Sequence, residues 1–314
     1  MQDDAGRGRV TVEVAPEVLE LSLPDVRLSA LAWGPTDGAL VVALHGFPDT
    51  AWTWRHLGPH LADRGYRVVA PFTRGYAPSA IPTDGCFQVG ALMADAAALH
   101  TVLGGDDRSV LVGHDWGAIT ANGLGAHPNN PYRAVVALAV PPLEAISAIR
   151  PDALGFALLL PGQIRNSWYT VFNQLPVLPE RFFDRLVRRL WKDWSPGYDA
   201  TTDLAHLSEA MRDSANRGSA LGYYRALPRF WAVPPRYRGW HSTWTGVPTV
   251  PSLNLYGLDD GCFQPQLSQR AVAVLPEGAG LVGLPAAGHF LHLEQPDQVN
   301  TLIAEFIAPF MEEA

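Results

Sequence analysis

The sequence has only two cysteines in 314 residues, Cys86 and Cys262. A disulfide scaffold needs more, and neither cysteine has a C-x-x-C or histidine-rich neighbour that would read as a metal site. Both are expected to be free thiols. Basic residues are also scarce: 23 Lys and Arg stand against 31 Asp and Glu, a net charge of −8. That balance opposes the attraction to phosphate backbones that nucleic-acid binding relies on, so no nucleic-acid partner is expected. No apolar run approaches the ~18 residues of a membrane span, and Met1 to Arg9 lacks the apolar stretch of a secretory signal. A cytoplasmic protein with no membrane association is the expectation. Internal repeats and low-complexity segments are missing too.

What is present is enough apolar residue, 47% of the chain, to bury a sizeable core in one large domain or a domain with an insertion. The first half alternates short β-branched runs with Ala- and Leu-rich helical stretches, the signature of a mostly parallel sheet covered by helices. Leu40 to Leu44, Arg67 to Ala70, Val110 to Val112 and Val135 to Val140 each end in a breaker and read as buried strands. Ala91 to Leu103 and Ala118 to Ala126 read as the helices between them. After Pro142 the alternation stops, and the chain turns Trp-, Tyr-, Arg- and Pro-rich with helical periodicity. An inserted helical lid over 144–245 is expected, dividing a core made of 1–143 and 246–314. Inside it, a helix starting at Pro179-Glu180 would bury Phe182, Phe183, Leu186, Val187, Leu190 and Trp191 and stop at Ser195-Pro196-Gly197. The sheet resumes at Ser252 to Tyr256 and Gly280 to Leu284. A last helix from Pro296 turns Val299, Leu302, Ile303, Phe306 and Phe310 to the core.

The segment Val110-Leu111-Val112-Gly113-His114-Asp115-Trp116-Gly117-Ala118 reads as strand, tight turn and helix, with glycines two residues either side of Asp115. Such a turn lifts its central side chain above the sheet as a nucleophile elbow. Asp just before a helix is also an ordinary N-cap, and an isolated G-x-D-x-G does not separate the two readings. Three further segments fall in the order an elbow requires. His45-Gly46-Phe47-Pro48 follows an early strand and offers the Phe47 N–H, which with the Trp116 N–H makes an oxyanion hole. Tyr256-Gly257-Leu258-Asp259-Asp260 follows a late strand and supplies an acid. Ala287-Gly288-His289-Phe290 follows the last strand and supplies a base.

Over essentially its full length the chain resembles α/β-hydrolases of the epoxide hydrolase family, through HGFP, GHDWGA, the late G-x-x-D and AGHF. The resemblance implies an α/β-hydrolase fold, with Asp115 as nucleophile, Asp260 as acid and His289 as base. Haloalkane and haloacid dehalogenases share the elbow, so a dehalogenase is the alternative, and a ligand-binding member of the fold without catalysis is a third reading. Asp259 and Glu144 are neighbouring candidates for the acid; Asp260 stands three residues after Gly257 as in the family.

A carboxylate can displace a leaving group from an alkyl carbon and form an ester, which water activated by His289 then hydrolyses. This chemistry requires no metal and no organic cofactor. An epoxide leaves as a tethered alkoxide that needs a proton, so phenol hydroxyls should hang over Asp115. Gly222-Tyr223-Tyr224-Arg225-Ala226 resembles the family segment that carries one such tyrosine, which makes it Tyr224. Ser167-Trp168-Tyr169-Thr170-Val171-Phe172 resembles the other, and there the alignment places Trp168 at the family tyrosine. Tyr169 is chosen on chemistry, since an indole N–H is no useful acid toward an alkoxide. Trp168, Phe47 and Trp116 are expected to line an apolar substrate pocket. Phe47 replaces the halide-binding Asn of many haloalkane dehalogenases, and Trp116 to Ile119 lacks the arginine of fluoroacetate-type relatives. The expected partners are a small, mostly apolar epoxide and water, with a homodimer admitted. His114 and His292 read as packed structural residues.

Overall fold

The computed structural model describes residues 15–144 and 153–311. One eight-stranded sheet runs through it in the order β1-β2-β4-β3-β5-β6-β7-β8. The strands are β1 (Glu17–Ser22), β2 (Arg27–Trp33), β3 (Leu40–Leu44), β4 (Arg67–Pro71), β5 (Val110–His114), β6 (Ala134–Leu138), β7 (Ser252–Gly257) and β8 (Gly280–Leu284). β1 and β2 pair antiparallel, as do β2 and β4, and every other pair is parallel. All positions of β3, β5, β6 and β7 are buried, which is what continuous apolar runs in a sheet covered on both faces require. β1 and β2 fall outside the strands read from the sequence. β1 is an edge strand exposing Glu17, Val18, Glu20 and Ser22, so its pattern is weak.

Helices α1 (Leu57–Ala62), α2 (Val89–Val102) and α3 (Trp116–Gly125) connect the first parallel strands. Between β6 and β7 the described chain is helical: α4 (Ala153–Asn166), α5 (Trp168–Phe172), α6 (Leu178–Arg181), α7 (Phe183–Trp194), α8 (Thr201–Ala210), α9 (Ser214–Ala226) and α10 (Pro235–His241). The helix expected to run unbroken from Pro179 is divided at Phe182, whose φ of −104° and ψ of 17° leave the helical region. Phe182 accordingly is 40% exposed, while Phe183, Leu186, Val187, Leu190 and Trp191 are buried. The chain closes with α11 (Pro265–Arg270), α12 (Leu291–Glu294) and α13 (Pro296–Ile307). In α13, Val299, Ile303 and Ile307 are fully buried and Leu302 and Phe306 pack at the margin, while Phe310 lies in the turn beyond the helix.

The inserted helices are tied to the sheet at defined points. The Trp191 indole donates to Pro48 O at 2.9 Å, and Arg55 pairs with buried Asp203 at 2.6 Å. On α2, Gly90 N–H donates to His241 Nδ1 at 3.1 Å, and a Cβ at Gly90 would stand 2.7 Å from both Tyr237 O and His241 Cβ. A larger residue there would push α10 off the core. Among the described residues no helix is long and apolar enough to cross a membrane.

Candidate active site

The carboxyl ends of β3, β5, β7 and β8 deliver Phe47, Asp115, Asp260 and His289 to one place, the edge where open α/β sheets bind ligands. Asp115 sits between β5 and α3 at φ 53° and ψ −112°. A non-glycine residue reaches such a backbone only when its surroundings impose it. Here the imposition is close packing: a Cβ at Gly113 would stand 2.1 Å from Gly117 O, and one at Gly117 would stand 2.2 Å from Leu44 O. Both flanking glycines are therefore structural necessities of the turn. The N-cap alternative fails, because the Asp115 side chain makes no capping hydrogen bond to α3.

Instead, Asp115 Oδ1 accepts from the Phe47 N–H at 2.7 Å. A Cβ at Gly46 would come within 2.3 Å of that oxygen and 2.7 Å of Trp116 N, so the two N–H groups and the carboxylate converge where only glycine fits. His45 holds the loop: its Nε2 accepts from Thr73 N at 3.0 Å, which puts the ring proton on Nδ1, 2.9 Å from Gly46 O. Burial, only partly offset by that bond, lowers the His45 pKa to about 4 and keeps the ring neutral.

His289 Nε2 faces Asp115 Oδ2 at 3.6 Å, and His289 Nδ1 meets Asp260 Oδ2 at 2.9 Å. The other Asp260 oxygen accepts from Cys262 N at 2.7 Å and Phe263 N at 2.9 Å, which locks the acid in place. Of the three candidate acids, Asp260 is buried against His289, whereas Asp259 and Glu144 are exposed. Burial works against a charged His289, but the Asp260 and Asp115 carboxylates outweigh it and raise its pKa to about 10.

Tyr169 and Tyr224 come together over this centre from α5 and α9, their ring centroids 5.5 Å apart. Tyr224 packs edge-on against Phe47 (5.1 Å) and Trp116 (5.2 Å), the two residues expected to offer the oxyanion N–H groups. Among the described residues none meets the buried Tyr224 hydroxyl in hydrogen-bonding geometry; the Trp116 indole N–H, near enough to act on it, can only donate, which leaves the phenol proton unengaged. The Tyr169 hydroxyl lies 3.4 Å from Cys262 Sγ. Burial first, and then Cys262 beside Tyr169 and the Asp115 carboxylate beside Tyr224, pushes both phenols well above their ordinary pKa, so both keep their protons. The neighbouring Tyr223 is spent on the scaffold, donating to Arg74 O at 2.9 Å. Gln174 Nε2 donates to Tyr224 O at 2.8 Å and Arg225 Nε to Asn173 O at 2.9 Å, which ties the turn after α5 to α9. Trp168 is half-buried and turned elsewhere, with the Arg189 guanidinium 4.6 Å over its ring.

Several site residues escape sequence reasoning. Cys262 touches both the acid and Tyr169. Trp194, at the end of α7, accepts from His289 N at 3.0 Å and sets its ring 4.9 Å from those of both His289 and Tyr169. Glu294 accepts from Gly288 N at 2.9 Å and from Ser195 Oγ at 2.6 Å, pinning the histidine loop to the α7 end. None of these sits in a motif with a known spacing. His114 donates Nε2–H to His289 O at 3.0 Å, the packed role read from the sequence.

The chain matches the alpha/beta hydrolase fold family model over residues 39–296. It is 29% identical over 289 residues to the AB hydrolase superfamily protein YfhM of Bacillus subtilis, covering 90% of this chain and 94% of that protein. It is also 29% identical over 317 residues to epoxide hydrolase A of Mycobacterium tuberculosis, with 90% and 94% covered. The crystal structure of epoxide hydrolase A from Mycobacterium thermoresistibile superposes with a TM-score of 0.72 at 26% identity, over 93% of this chain and 98% of that one.

Proposed function

We propose, from the premise that the chain belongs to the α/β hydrolase fold family, that it is an epoxide hydrolase opening epoxides to vicinal diols through an alkyl ester on Asp115. The observation that carries this reading is the unpartnered, buried Tyr224 hydroxyl, paired with Tyr169 beside an Asp nucleophile. A halide leaving group needs no acid, whereas an epoxide oxygen does. The curated relatives named epoxide hydrolase support the same choice.

Asp115 Oδ2 attacks an epoxide carbon while Oδ1 stays on the Phe47 N–H. The C–O bond of the epoxide breaks, and the alkoxide takes a proton from Tyr224, assisted by Tyr169. Esterification removes the Asp115 charge, one of the two that hold His289 protonated. The His289 proton then replaces the one lost by the tyrosine, and the neutral ring becomes a base. It takes a proton from water as the water oxygen attacks the ester carbonyl carbon. The tetrahedral oxyanion forms on Oδ1, facing the Phe47 and Trp116 N–H groups, a type of contact worth about 2.7–4 kcal/mol per donor. Collapse releases the diol, which takes the proton back from His289, and the carboxylic acid left on Asp115 then passes its proton to His289, restoring the carboxylate and the protonated ring. Asp260 orients the imidazole throughout.

Residues 144–245 act as a lid whose tyrosines select the substrate, and the apolar surroundings given by Phe47 and Trp116, without the Trp168 expected beside them, favour a mostly apolar epoxide. The test is a panel of epoxides and haloalkanes, with diol and halide measured in parallel. Diol formation without halide release supports the reading. Halide release from haloalkanes, with epoxides untouched, overturns it in favour of a dehalogenase, and inertness toward both supports the non-catalytic reading.

A further inference from the structure

Behind the catalytic histidine lies a second cluster that the reaction above does not use. Asp49 from the loop after β3, His114 at the end of β5 and His292 on α12 are all buried, and one ligand atom from each lies within 4.8 Å of the others. Each residue has one polar atom engaged. Asp49 Oδ1 accepts from Thr50 N at 2.7 Å, His114 Nε2 donates to His289 O at 3.0 Å, and His292 Nε2 meets Thr53 Oγ1 at 2.5 Å.

The remaining atoms, Asp49 Oδ2, His114 Nδ1 and His292 Nδ1, have no partner among the described residues. The tautomers make this unusual. A carbonyl only accepts, so His114 must carry its proton on Nε2, and a neutral ring then presents a bare lone pair at Nδ1. His292 with its proton toward Thr53 Oγ1 presents the same. Burial, as the leading cause, holds both imidazoles well below their ordinary pKa and therefore neutral. Two imidazole nitrogens and a carboxyl oxygen are thus left without a partner in one buried cluster, where an unmet polar group is costly. Burial first, and then the nearby Asp203, pushes the Asp49 carboxyl well above its ordinary pKa, so a cation bound here would take the place of a proton.

We propose that Asp49, His114 and His292 form a buried site for a divalent transition metal of the zinc type, separate from the nucleophile, acid and base. Such an ion takes two nitrogens and one oxygen at about 2.0–2.2 Å in a tetrahedral arrangement, with a fourth position for water. Donors within 4.8 Å of one another lie at most about 2.8 Å from a common centre, so closing them onto one ion needs each to move by up to about 0.7 Å. The bound ion brings positive charge next to His289, because His114 is hydrogen-bonded to the His289 backbone and its ring lies 4.9 Å from that of His289. The binding does not depend on the epoxide hydrolase reading.

The test is dialysis of the chelator-treated, full-length protein against Zn2+ or Co2+, with bound metal counted by elemental analysis and the Co2+ spectrum recorded. One equivalent is expected, bound at least about tenfold more weakly by Asp49→Asn and His292→Gln, since loss of a metal-site group typically costs at least that much. The Co2+ spectrum should lack a thiolate charge-transfer band. Asp260, Cys262 and His289 form a rival cluster, so Cys262→Ala is the control and should bind as the parent does. No stoichiometric binding, affinity unchanged in Asp49→Asn, or a thiolate band that disappears in Cys262→Ala would each overturn the assignment. Crystals soaked in Zn2+ give the position directly through anomalous scattering, independent of whether the His292 variant folds.

Discussion

The Phe47 N–H donates to Asp115 Oδ1 across 2.7 Å, so the proposed nucleophile and the proposed oxyanion hole share a hydrogen bond. The two carboxylate oxygens are thereby told apart: Oδ1 is held, and Oδ2 faces His289 at 3.6 Å. In the proposed route the held oxygen is the one on which negative charge returns in the second step, which makes its donor preorganised for that transition state.

Gly46→Ala disrupts this arrangement, because its methyl would stand 2.3 Å from Asp115 Oδ1. Turnover should fall by about 10²-fold or more, the scale of losing one oxyanion donor. Steady-state kinetics beside a circular dichroism melt separates this from unfolding. Unchanged turnover in a folded Gly46→Ala protein would refute the oxyanion assignment.

The two tyrosines are not equivalent. Tyr224 offers a free hydroxyl, while that of Tyr169 is shared with Cys262. Tyr224→Phe should slow alkylation by about 10²-fold, the low end for losing a general acid, and Tyr169→Phe by less. Trp168→Ala should leave that step nearly unchanged, since the ring packs under Arg189. Single-turnover tryptophan fluorescence or quenched-flow measurement of the alkyl-enzyme gives the three rates. A larger loss in Trp168→Ala than in Tyr169→Phe would reverse the choice made between those neighbours.

Stability should depend on pH in two opposed ways. His45 titrates at about 4 in the fold against 6.5 ordinarily, so the unfolded chain binds the extra proton and stability falls as pH drops from about 6.5 to about 4. The His45 contribution is on the order of 3 kcal/mol, and His114 and His292, lowered the same way, add to it. His289 is the reverse: its pKa of about 10 stabilises the fold fully below 6.5, and that support is lost as pH rises toward 10. Tm measured across this range should therefore show a flatter alkaline limb in His289→Gln than in the parent. Parallel alkaline limbs would mean that His289 is not held protonated by its carboxylates.

Much of the sheet was legible because buried parallel strands are continuous apolar runs ended by breakers, as in Leu40 to Leu44 and Val110 to His114. β1 and β2 were not, since an antiparallel edge ribbon with alternating exposure leaves a weaker trace. The break at Phe182 was hidden because a local change of φ and ψ does not disturb the apolar spacing on either side. Asp115, Asp260 and His289 could be read from motifs in a required order. Cys262, Trp194, Glu294 and Asp49 could not, because their partners come from distant parts of the chain and no fixed spacing marks them. Tyr169 over Trp168 was a choice on acidity, and the side-chain packing sets Tyr169 beside Tyr224.

The covalent route is tested most directly by one turnover in ¹⁸O-labelled water, with enzyme in excess over an epoxide. An ester on Asp115 predicts that the label enters the Asp115 carboxylate, found by mass spectrometry of the peptide containing it. The diol from that first turnover should carry an unlabelled oxygen taken from Asp115. Label in the first-turnover diol, with Asp115 unlabelled, would mean direct attack by water and contradict the nucleophile assignment.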